Sequence, residues 1–352
     1  MLGLIMIGGR GTRFWPLSKI MLPKQLIDFT GKGEMIKLTA GRLKPVIKND
    51  DLFVITSKHL ISPVKKILKE IKNVIGEPEG KNTAPCIALL LGLLYNDCKD
   101  KVLGVFPGDH YIEKEKIFTS ILRQAETFAK KNDFLITIGI KPETPHTGYG
   151  YIEYNRKRTL AKNIFEVKKF YEKPDLLTAK KFLKSGSFLW NAGMFIWRIE
   201  TIIEEFKKYQ PAMYKSIIKI SQTATKLRNR VIAEEFKKMP KISIDYAIME
   251  HSSNIAAIPV DIGWNDIGSW SSLDSINLKD ENGNVIISDK SFISNSNRNI
   301  IHCKNKMAAV IGADDLIIVS DKDSVLVCKK NSDQKVGDIV KFLELNKLNG
   351  YL

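Results

Sequence analysis

Short apolar runs alternate with amphipathic segments along the first half of the chain. Continuous runs of aliphatic residues are typical of strands buried on both faces of a parallel sheet. The strand candidates are Leu2–Ile7, Leu52–Ile55, Val102–Phe106 and Phe134–Ile140. The segments with apolar residues at helical spacing are Pro63–Lys72, Ala84–Asn96 and Lys116–Lys131. This alternation predicts an α/β fold in which crossover helices connect the strands of a parallel sheet.

The pattern from Gly148 onwards predicts a second set of strands and helices. Two further strands are predicted at Gly148–Tyr154 and Ile164–Tyr171. Predicted helices follow at Leu176–Lys184, Ile199–Tyr209 and Ile244–Glu250. The polar stretch Lys219–Lys238 is predicted to be a helical insertion.

After Leu278 the chain becomes rich in short strands and turns. Polar turns separate five β-rich runs: Val285–Ile287, Ile300–His302, Ala308–Ile311, Leu316–Val319 and Val325–Val327. A terminal amphipathic helix is predicted at Val336–Leu348. We therefore expect a first domain over residues 1–279 and a small β-rich domain over residues 280–352, ending in a helix.

Composition limits the cellular compartments in which we expect the protein and the kinds of site that its cysteines can form. No apolar run approaches the ~20 residues that a membrane span requires, and the first residues lack a secretory pattern. We therefore expect a cytoplasmic protein with no membrane partner. The four cysteines show neither zinc-site nor disulfide-framework spacing: Cys86, Cys98, Cys303 and Cys328.

The net charge of +16 would by itself suggest a nucleic-acid partner. However, only ten of the 55 basic residues are arginines, and the lysines are spread along the chain at spacings typical of solvated faces. Recognition of bases and phosphates favours arginine forks. We therefore expect no nucleic-acid partner, and a positive field that steers small anionic substrates.

The first predicted strand ends in the glycine-rich, basic loop Gly8–Arg13, and Pro23–Gln25 follows closely. Glycines let backbone N–H groups approach an anion, because no Cβ intervenes and positive φ is accessible. Arg13 and Lys24 add full positive charges. The loop lacks the Gly-Lys-Ser/Thr ending of a P-loop and the third glycine of a dinucleotide fingerprint. The sequence therefore predicts a different kind of phosphate-binding loop.

Two carboxylates are candidate metal ligands. Asp109 follows the buried run Val102–Phe106, and ligands of open α/β sheets bind at the carboxyl ends of strands. Gly108 leaves space for a ligand beside it. Asp266 lies in the glycine- and tryptophan-flanked turn Gly263–Trp270. Mg²⁺ is typically held by one or two carboxylates together with substrate phosphates, so we expect Asp109 and Asp266 to share one Mg²⁺.

Three segments carry groups suited to a sugar phosphate or a base. Glu172 and Lys173 follow a predicted strand, where the lysine can bind a phosphate and the glutamate can accept sugar hydroxyls; a solvated pair before a helix is the alternative. Asn191 lies in an apolar, aromatic setting, and a buried amide needs partners. The loop Glu77–Pro85, with Asn82, either contacts a base edge or simply caps the next helix.

Eight segments in order resemble the bacterial mannose-1-phosphate guanylyltransferase family, in the form without an isomerase domain. They are Gly8–Lys19 with Pro23–Gln25, Glu77–Pro85, Pro107–His110, Gly148–Ile152, Phe170–Pro174, Trp190–Phe195, Ser243–Glu250 and Gly263–Trp270. They span most of residues 1–275. The resemblance implies a Rossmann-like (GT-A-like) mixed sheet with flanking helices, and a C-terminal left-handed β-helix-like unit.

The resemblance also implies a role for individual residues. Nucleotide phosphates are assigned to Gly8, Gly9, Gly11, Thr12 and Arg13, with Gly108 beside them. The guanine is assigned to Asn82 and Pro85, and the metal to Asp109 and Asp266. The sugar phosphate is assigned to Gly150, Glu172, Lys173 and Asn191. Arg13, Lys24 and Lys173 are expected to be the catalytic cations.

The implied activity is transfer of GMP from GTP to mannose 1-phosphate with Mg²⁺. We also expect a homodimer formed through the β-rich tail, and no isomerase activity. The sequence departs from the family pattern at Phe14, usually leucine, and at Gly108, usually serine or alanine. Three alternatives stay open: another nucleotide and hexose 1-phosphate pair, a catalytically silent nucleotide-binding subunit, and a nucleic-acid binder.

Overall fold

The computed structural model describes residues 1–352 of the chain. The strands, in chain order, are β1 (Leu2–Met6), β2 (Leu52–Ser57), β3 (Asn73–Glu77), β4 (Val102–Pro107), β5 (Tyr111–Ile112), β6 (Leu135–Ile140), β7 (Tyr151–Ala161), β8 (Ile164–Tyr171), β9 (Phe188–Arg198), β10 (Ile255–Val260), β11 (Trp264–Asn265), β12 (Val285–Ser294), β13 (Ile300–Ile311), β14 (Leu316–Ser320) and β15 (Val325–Lys329).

The α-helices are α1 (Met35–Leu43), α2 (Ile61–Ile67), α3 (Thr83–Cys98), α4 (Glu115–Ala129), α5 (Leu176–Ser185), α6 (Ile199–Tyr209), α7 (Pro211–Ser221), α8 (Thr225–Lys238) and α9 (Val336–Leu345). None of these helices combines the length and the apolar character that a membrane crossing demands.

The chain forms two compact units, each assembled from separate stretches of sequence. The first comprises Met1–Gly8, Arg42–Pro107 and Ile112–Trp264. The second comprises Gly9–Gly41, Gly108–Tyr111 and Asn265–Leu352. The glycine-rich loop therefore shares a unit with the C-terminal strands. The domain boundary expected between residues 279 and 280 stays a prediction.

The first unit is built on a nine-stranded mixed sheet with the order β3-β2-β1-β4-β9-β6-β10-β8-β7. Strands β3, β2, β1 and β4 run parallel, and β1 pairs with β4 in the register Met6 to Pro107. Strand β9 is antiparallel to both β4 and β6. The predicted α/β fold with a mixed sheet and flanking helices is confirmed. Helix α3 is buried over most of its surface, as its almost wholly apolar sequence predicts.

Several predicted elements differ from the observed ones. The expected helix Pro63–Lys72 is α2, which starts two residues earlier and stops at Ile67, and the insertion Lys219–Lys238 is divided between α7 and α8. The expected helix Ile244–Glu250 is a short π-helical turn, Asp245–Met249. Strands β3, β9 and β10 and helix α1 were not predicted. Strand β3 is mostly half-buried at the edge of the sheet, so its hydrophobic signal is weak.

The second unit contains a four-stranded sheet with the order β12-β13-β14-β15. Strands β12, β13 and β14 pair in parallel, and β15 closes the sheet antiparallel. Parallel pairing of successive short-looped strands gives the β-helix-like coil that was predicted. The expected runs Ile300–His302 and Ala308–Ile311 belong to one strand, β13.

Buried asparagines connect successive turns of this β-helix-like coil. The backbone N–H of Asn299 donates to Oδ1 of Asn284 at 2.8 Å, and the side-chain amide of Asn299 donates to the carbonyl of Ala313 at 2.7 Å. Oδ1 of Asn299 accepts from the N–H of Leu316 at 2.9 Å. Both asparagines are fully buried. The ladder therefore satisfies backbone groups at the turns, where strand pairing cannot.

Candidate active site

The glycine-rich loop needs glycine at two of its positions. Gly9 and Gly11 adopt positive φ angles of 81° and 64°. A Cβ on Gly11 would lie only 2.6 Å from Cβ of Lys24, closer than real carbon contacts allow. Gly8 has neither constraint, since nothing lies within 4 Å of its Cβ position. The loop therefore turns sharply at Gly11 to lie against Lys24.

An aromatic cluster anchors this loop. The ring of Phe14 lies 4.6 Å from that of Phe29 and 5.2 Å from that of Trp270, measured between centroids. All three side chains are buried in the core of the second unit, together with residues of β13 and β14. Phe14, which departs from the family pattern, is thus a core residue. Thr12 and Arg13 belong to the short 3₁₀ turn that ends at Phe14.

Lys24 is the centre of the candidate site in the second unit. The residue is only 7% exposed. Its Nζ lies 3.0 Å from Oδ2 of Asp109 and donates to the carbonyl oxygen of Asp266 at 2.5 Å. The side-chain amide of Gln25 also donates to Asp109, at 3.3 Å. The structure therefore places Asp109 and Asp266 around the ammonium group of Lys24.

The charge of Asp109 is stabilised by its neighbours. Burial alone would raise the pKa of this carboxyl, but the positive charges of Lys24 and His110 hold it below its ordinary value. Asp109 is therefore ionised at neutral pH. Gly108 precedes it in the segment that follows β4.

Asp266 lies in a tight turn. The N–H of Ile267, which has a φ of 46°, donates to Oδ1 of Asn265 at 2.6 Å. The carboxylate oxygens of Asp266 lie 3.3 and 3.4 Å from where a Cβ of Gly268 would be. Arg13 reaches the same turn, since its guanidinium donates to the carbonyl of Gly268 at 3.2 Å.

Asp109 and Asp266 fit a divalent cation that substrate helps to hold. Both offer carboxylate oxygens, the ligands that Mg²⁺ prefers. The chain has no cluster of three or more histidine, cysteine, aspartate or glutamate side chains that could hold a metal ion. A divalent ion at these two aspartates would therefore complete its ligand set with water and phosphate oxygens.

The loop Glu77–Pro85 leads from β3 into α3, within the first unit. Asn82 has a φ of 76°, and its Oδ1 accepts from the N–H of Thr83 at 2.8 Å, so it caps the helix. Pro85 is buried in the first turn of α3. Lys81 crosses to the C-terminal end of α8, where its ammonium donates to the carbonyls of Phe236, Lys237 and Met239 at 3.0, 2.6 and 2.9 Å.

Glu77 at the start of this loop was not among the predicted site residues. The residue is 7% exposed, and its Oε1 lies 3.9 Å from where a Cβ of Gly80 would be. Burial, with no compensating contact, raises the pKa of Glu77 to about 7. In the sequence, the only feature that marks Glu77 is its position in the Glu-Pro pair at the start of the loop.

The predicted sugar-phosphate residues lie close together in the first unit: Gly150 precedes β7, Glu172 and Lys173 follow β8, and Asn191 lies in β9. Lys173 has a φ of 47° and pairs with the carboxylate of Glu172. Burial alone would lower the pKa of Lys173, but the charge of Glu172 outweighs it and raises the pKa above its ordinary value. A Cβ on Gly150 would lie 2.6 Å from Oε2 of Glu172 and 3.5 Å from Cβ of Asn191. Glycine thus allows the carboxylate of Glu172 to lie directly against the backbone.

Asn191 is oriented by neighbours on both sides of its amide. Its Nδ2 donates to Oδ1 of Asp245 at 2.7 Å. Its Oδ1 accepts from Oγ1 of Thr137 at 3.3 Å and from the N–H of Gly193 at 3.1 Å. Asp245 was not predicted as a site residue, although it lies in the segment Ser243–Glu250 that carried the resemblance.

The predicted residues thus fall into two sets. The second unit contains Gly9, Gly11, Thr12, Arg13, Lys24, Gly108, Asp109 and Asp266. The first unit contains Gly8, Asn82, Pro85, Gly150, Glu172, Lys173 and Asn191. Within each set, cations and carboxylates are paired in ways that single motifs could not predict.

Two family models match the chain, and together they span nearly all of it. The nucleotidyl transferase model matches residues 2–283. A model described as a MannoseP isomerase/GMP-like beta-helix domain matches residues 284–343. The second match agrees with the parallel coil of β12, β13 and β14.

Named relatives and solved structures point the same way. Mannose-1-phosphate guanylyltransferase RfbM of Salmonella typhimurium is 39% identical, over 99% of this chain and 74% of the relative. Alginate biosynthesis protein AlgA of Pseudomonas aeruginosa is 35% identical, over 98% of this chain and 72% of the relative. A crystal structure titled mannose-1-phosphate geranyltransferase, from Thermus thermophilus, superposes with a TM-score of 0.88 at 25% identity, covering 97% of this chain and 99% of that one.

Proposed function

Because the chain belongs to the nucleotidyl transferase family, and named mannose-1-phosphate guanylyltransferases are among its relatives, we propose that it transfers GMP from GTP to mannose 1-phosphate. A phosphate oxygen of mannose 1-phosphate attacks the α-phosphorus of GTP in line, the bond to the β-phosphate oxygen breaks, and pyrophosphate leaves. GDP-mannose is the second product.

The attacking phosphate needs no general base. The second pKa of a phosphate monoester is about 6, so mannose 1-phosphate is largely dianionic at neutral pH. The difficulty lies in bringing two polyanions together and in stabilising the charge that develops on the leaving pyrophosphate. The chain's contribution is therefore positive charge and alignment.

The observation that carries this proposal is the position of Lys24. Its buried ammonium is held by Asp109 and Asp266, and its Cβ lies directly against Gly11 of the glycine-rich loop. We assign Lys24 and Arg13, with the backbone N–H groups of Gly9, Gly11 and Thr12, to the triphosphate. Lys173 is assigned to the phosphate of the sugar, because it follows the strand that also presents Glu172.

Nucleotidyl transferases of this kind use a divalent metal, and we propose Mg²⁺. Asp109 and Asp266 would hold it, and when bound it would neutralise part of the triphosphate charge. Asp109 is suited to this because its pKa is held low and the carboxylate stays ionised. Both proposed substrates are charged phosphates that do not cross membranes, so we expect the reaction to take place in the cytoplasm.

Glu77 supports the choice of guanine. A buried carboxylate without a compensating contact is costly, and guanine offers two adjacent donors, N1–H and the 2-amino group. A carboxylate accepts from both at once, since each of its oxygens is an acceptor. Asn82 and Pro85 lie in the same loop, and we assign all three to the base.

The test is pyrophosphate release from purified protein with Mg²⁺ and mannose 1-phosphate, comparing GTP with ATP, UTP and dTTP. We expect release with GTP and formation of GDP-mannose. Release with another nucleotide would keep the chemistry and overturn the base assignment. No release with any nucleotide or hexose 1-phosphate, from folded protein, would favour a silent nucleotide-binding subunit.

The role of Glu77 has its own test. Glu77→Gln replaces one acceptor oxygen by an amide that cannot accept, so kcat/KM for GTP should fall by about 10–100-fold, the loss expected for a hydrogen bond to a charged group. Discrimination between GTP and ITP, which lacks the 2-amino group, should shrink. Glu79→Gln is the matched control, because Glu79 lies in the same loop with a half-exposed side chain. Equal effects of both substitutions would remove Glu77 from the base site.

A further inference from the structure

A carboxylate that the sequence motifs left without a role lies beside the sugar-phosphate residues. Asp245 begins the π-helical turn Asp245–Met249. Its Oδ1 accepts from Nδ2 of Asn191 at 2.7 Å. The opposite side of that amide is fixed by Thr137 and Gly193. Asp245 is therefore held in place next to Asn191, which is assigned to the sugar.

The surroundings of Asp245 form a cluster of polar and charged groups. Glu172 lies near enough for its negative charge to act on Asp245, and Lys173 lies near enough to be influenced by Asp245 in turn. Gly150 lacks the Cβ that would come within 2.6 Å of Oε2 of Glu172. Two carboxylates, one amide and one ammonium therefore form one polar cluster beside Gly150.

Two neighbouring carboxylates are matched by neighbouring hydroxyl groups. Carboxylates only accept hydrogen bonds, whereas hydroxyls donate readily. A hexose 1-phosphate carries several adjacent hydroxyls beside its phosphate, and Lys173 is available for that phosphate. A ligand without hydroxyls would desolvate the remaining acceptor oxygens of both carboxylates without giving them a donor, which is unfavourable.

We propose that Asp245 is a further binding residue for the sugar, which orients Asn191 and, with Glu172, accepts hydrogen bonds from adjacent hydroxyls of the hexose. This inference rests on the proposed function, since it concerns the same sugar-phosphate site. It makes Asp245 a determinant of sugar affinity rather than of nucleotide affinity.

The proposal carries a pH dependence with a defined sign. Burial, followed by the charge of Glu172, raises the pKa of Asp245 to about 6, while Asn191 and Lys173 oppose the shift. Tyr246 is the remaining titratable group adjoining this cluster. The carboxylate is the accepting form, so affinity for the sugar should be full at neutral pH and should fall as the pH drops through about 6.

The experiment is calorimetric binding of GDP-mannose between about pH 5 and about pH 8. Its phosphates carry no proton that titrates in this range, unlike mannose 1-phosphate. The wild-type protein should bind about 10-fold more weakly at the acid end. Asp245→Asn should bind about 10–100-fold more weakly at neutral pH, the loss of about one hydrogen bond to a charged group, and should show a flatter pH profile. Asp245→Glu should restore part of the affinity and of the pH dependence.

Two comparisons separate this role from a structural one. GTP affinity should be the same in the wild-type protein and in Asp245→Asn. Asp133→Asn is the matched control, because Asp133 also accepts from side chains, Arg198 and Thr201, near the far end of β9. Thermal melting of each variant verifies folding.

The outcomes distinguish the inference from the proposed function. Unchanged GDP-mannose affinity in Asp245→Asn, or a pH profile as steep as that of the wild type, overturns the inference while GDP-mannose binding by the wild type still stands. Glu77, whose pKa is also raised, contributes equally to both profiles. Parallel loss of GTP affinity would show that Asp245 serves only the fold. If the wild type binds UDP-glucose or dTDP-glucose instead, the proposed function fails, and the same variants are compared with that ligand.

Discussion

Lys24, which we propose binds the triphosphate, also has contacts that stabilise the fold. A buried lysine is unfavourable unless its charge is paired, and here Asp109 pairs with it while the carbonyl of Asp266 accepts a further hydrogen bond. The same contacts leave the ammonium fixed rather than mobile. A fixed charge can stabilise a developing anion without reorganising first.

Lys24→Met should therefore reduce both activity and stability. We expect kcat/KM to fall by about 10²–10³-fold, as for the loss of one preorganised donor. The pKa of Asp109 should rise once its main counter-charge is gone, since burial alone raises it, and the free energy of unfolding should fall by about 1–3 kcal/mol. Pyrophosphate release and urea denaturation measure the two effects.

Lys19→Met is the matched control for that substitution. Lys19 pairs with Asp321 and Asp323, which are partly exposed, and exposed ion pairs contribute about 0–1 kcal/mol. Activity should stay close to the wild-type value. Lys24→Met with near-wild-type turnover would contradict the assignment of Lys24 to the triphosphate.

At the residue scale, motifs in the sequence identified individual groups but not their partners. Lys24 and Asp109 could each be picked from a short motif, because their residue types and neighbours suit phosphate and metal binding. Their contact with each other could not, since it depends on how distant segments pack. Asp245 and Glu77 were missed for the same reason: only their burial, which the sequence does not reveal, distinguishes them from ordinary surface carboxylates.

At the element scale, the asparagine ladder replaces strand pairing at the corners of the β-helix-like coil. Each buried asparagine satisfies backbone groups of the next turn. Strand β14 pairs with β13 at only three positions, so these side chains matter for the alignment of the two strands.

Asn299→Ala should destabilise the second unit by about 2–4 kcal/mol, because it leaves the N–H of Leu316 and the carbonyl of Ala313, both on half-buried residues, without the partner that Asn299 provides. Each unsatisfied group costs roughly 1–3 kcal/mol. Urea denaturation measures the loss. Asn297→Ala is the control, because Asn297 bonds to the partly exposed Asp314; an equal loss there would argue against the ladder as the cause.

Strands that are buried along their whole length could be predicted from the sequence. Strands whose apolar run is interrupted by polar or glycine residues could not. Strands β1, β4 and β6 are buried on both faces, so a plain apolar run marks them. Strand β9 contains Asn191 and a glycine with a φ of 64°, Gly193, which break the run. Those polar and glycine positions belong to the candidate site. The residues of the site therefore interrupt the apolar pattern by which the strand could have been predicted.

At the scale of the whole molecule, the buried titratable groups change the stability of the fold in opposite directions as the pH falls. Burial lowers the pKa of His302, in β13 of the second unit, to about 4. Between about pH 4 and about pH 6.5 the unfolded chain then binds more protons at this residue than the folded one. Its contribution to stability is present above that range and is lost as the pH falls. The raised pKa values of Glu77 and Asp245 act in the opposite direction.

His302→Leu should isolate the contribution of the histidine. The stability of the second unit should depend less on pH between about 4 and about 6.5, with a difference approaching about 3 kcal/mol at the acid end. Urea midpoints at several pH values, followed by the fluorescence of Trp270 and its neighbours, measure this. His59→Leu, at an exposed position of the first unit, should leave the profile unchanged. Parallel profiles for wild type and His302→Leu would exclude His302 as the source.

The ammonium of Lys81, in the loop Glu77–Pro85, closes the C-terminal end of α8. It donates hydrogen bonds to the carbonyls of Phe236 and Lys237 in the last turn and of Met239, which follows the helix. We therefore expect the last turn of α8 to fray only when the loop is displaced, so that the two changes occur together. Amide protons at the C-terminal end of α8 should exchange with solvent at a rate set by the loop. A ligand that settles on the loop would slow that exchange in a helix it never touches, so the end of α8 serves as a remote reporter of occupancy.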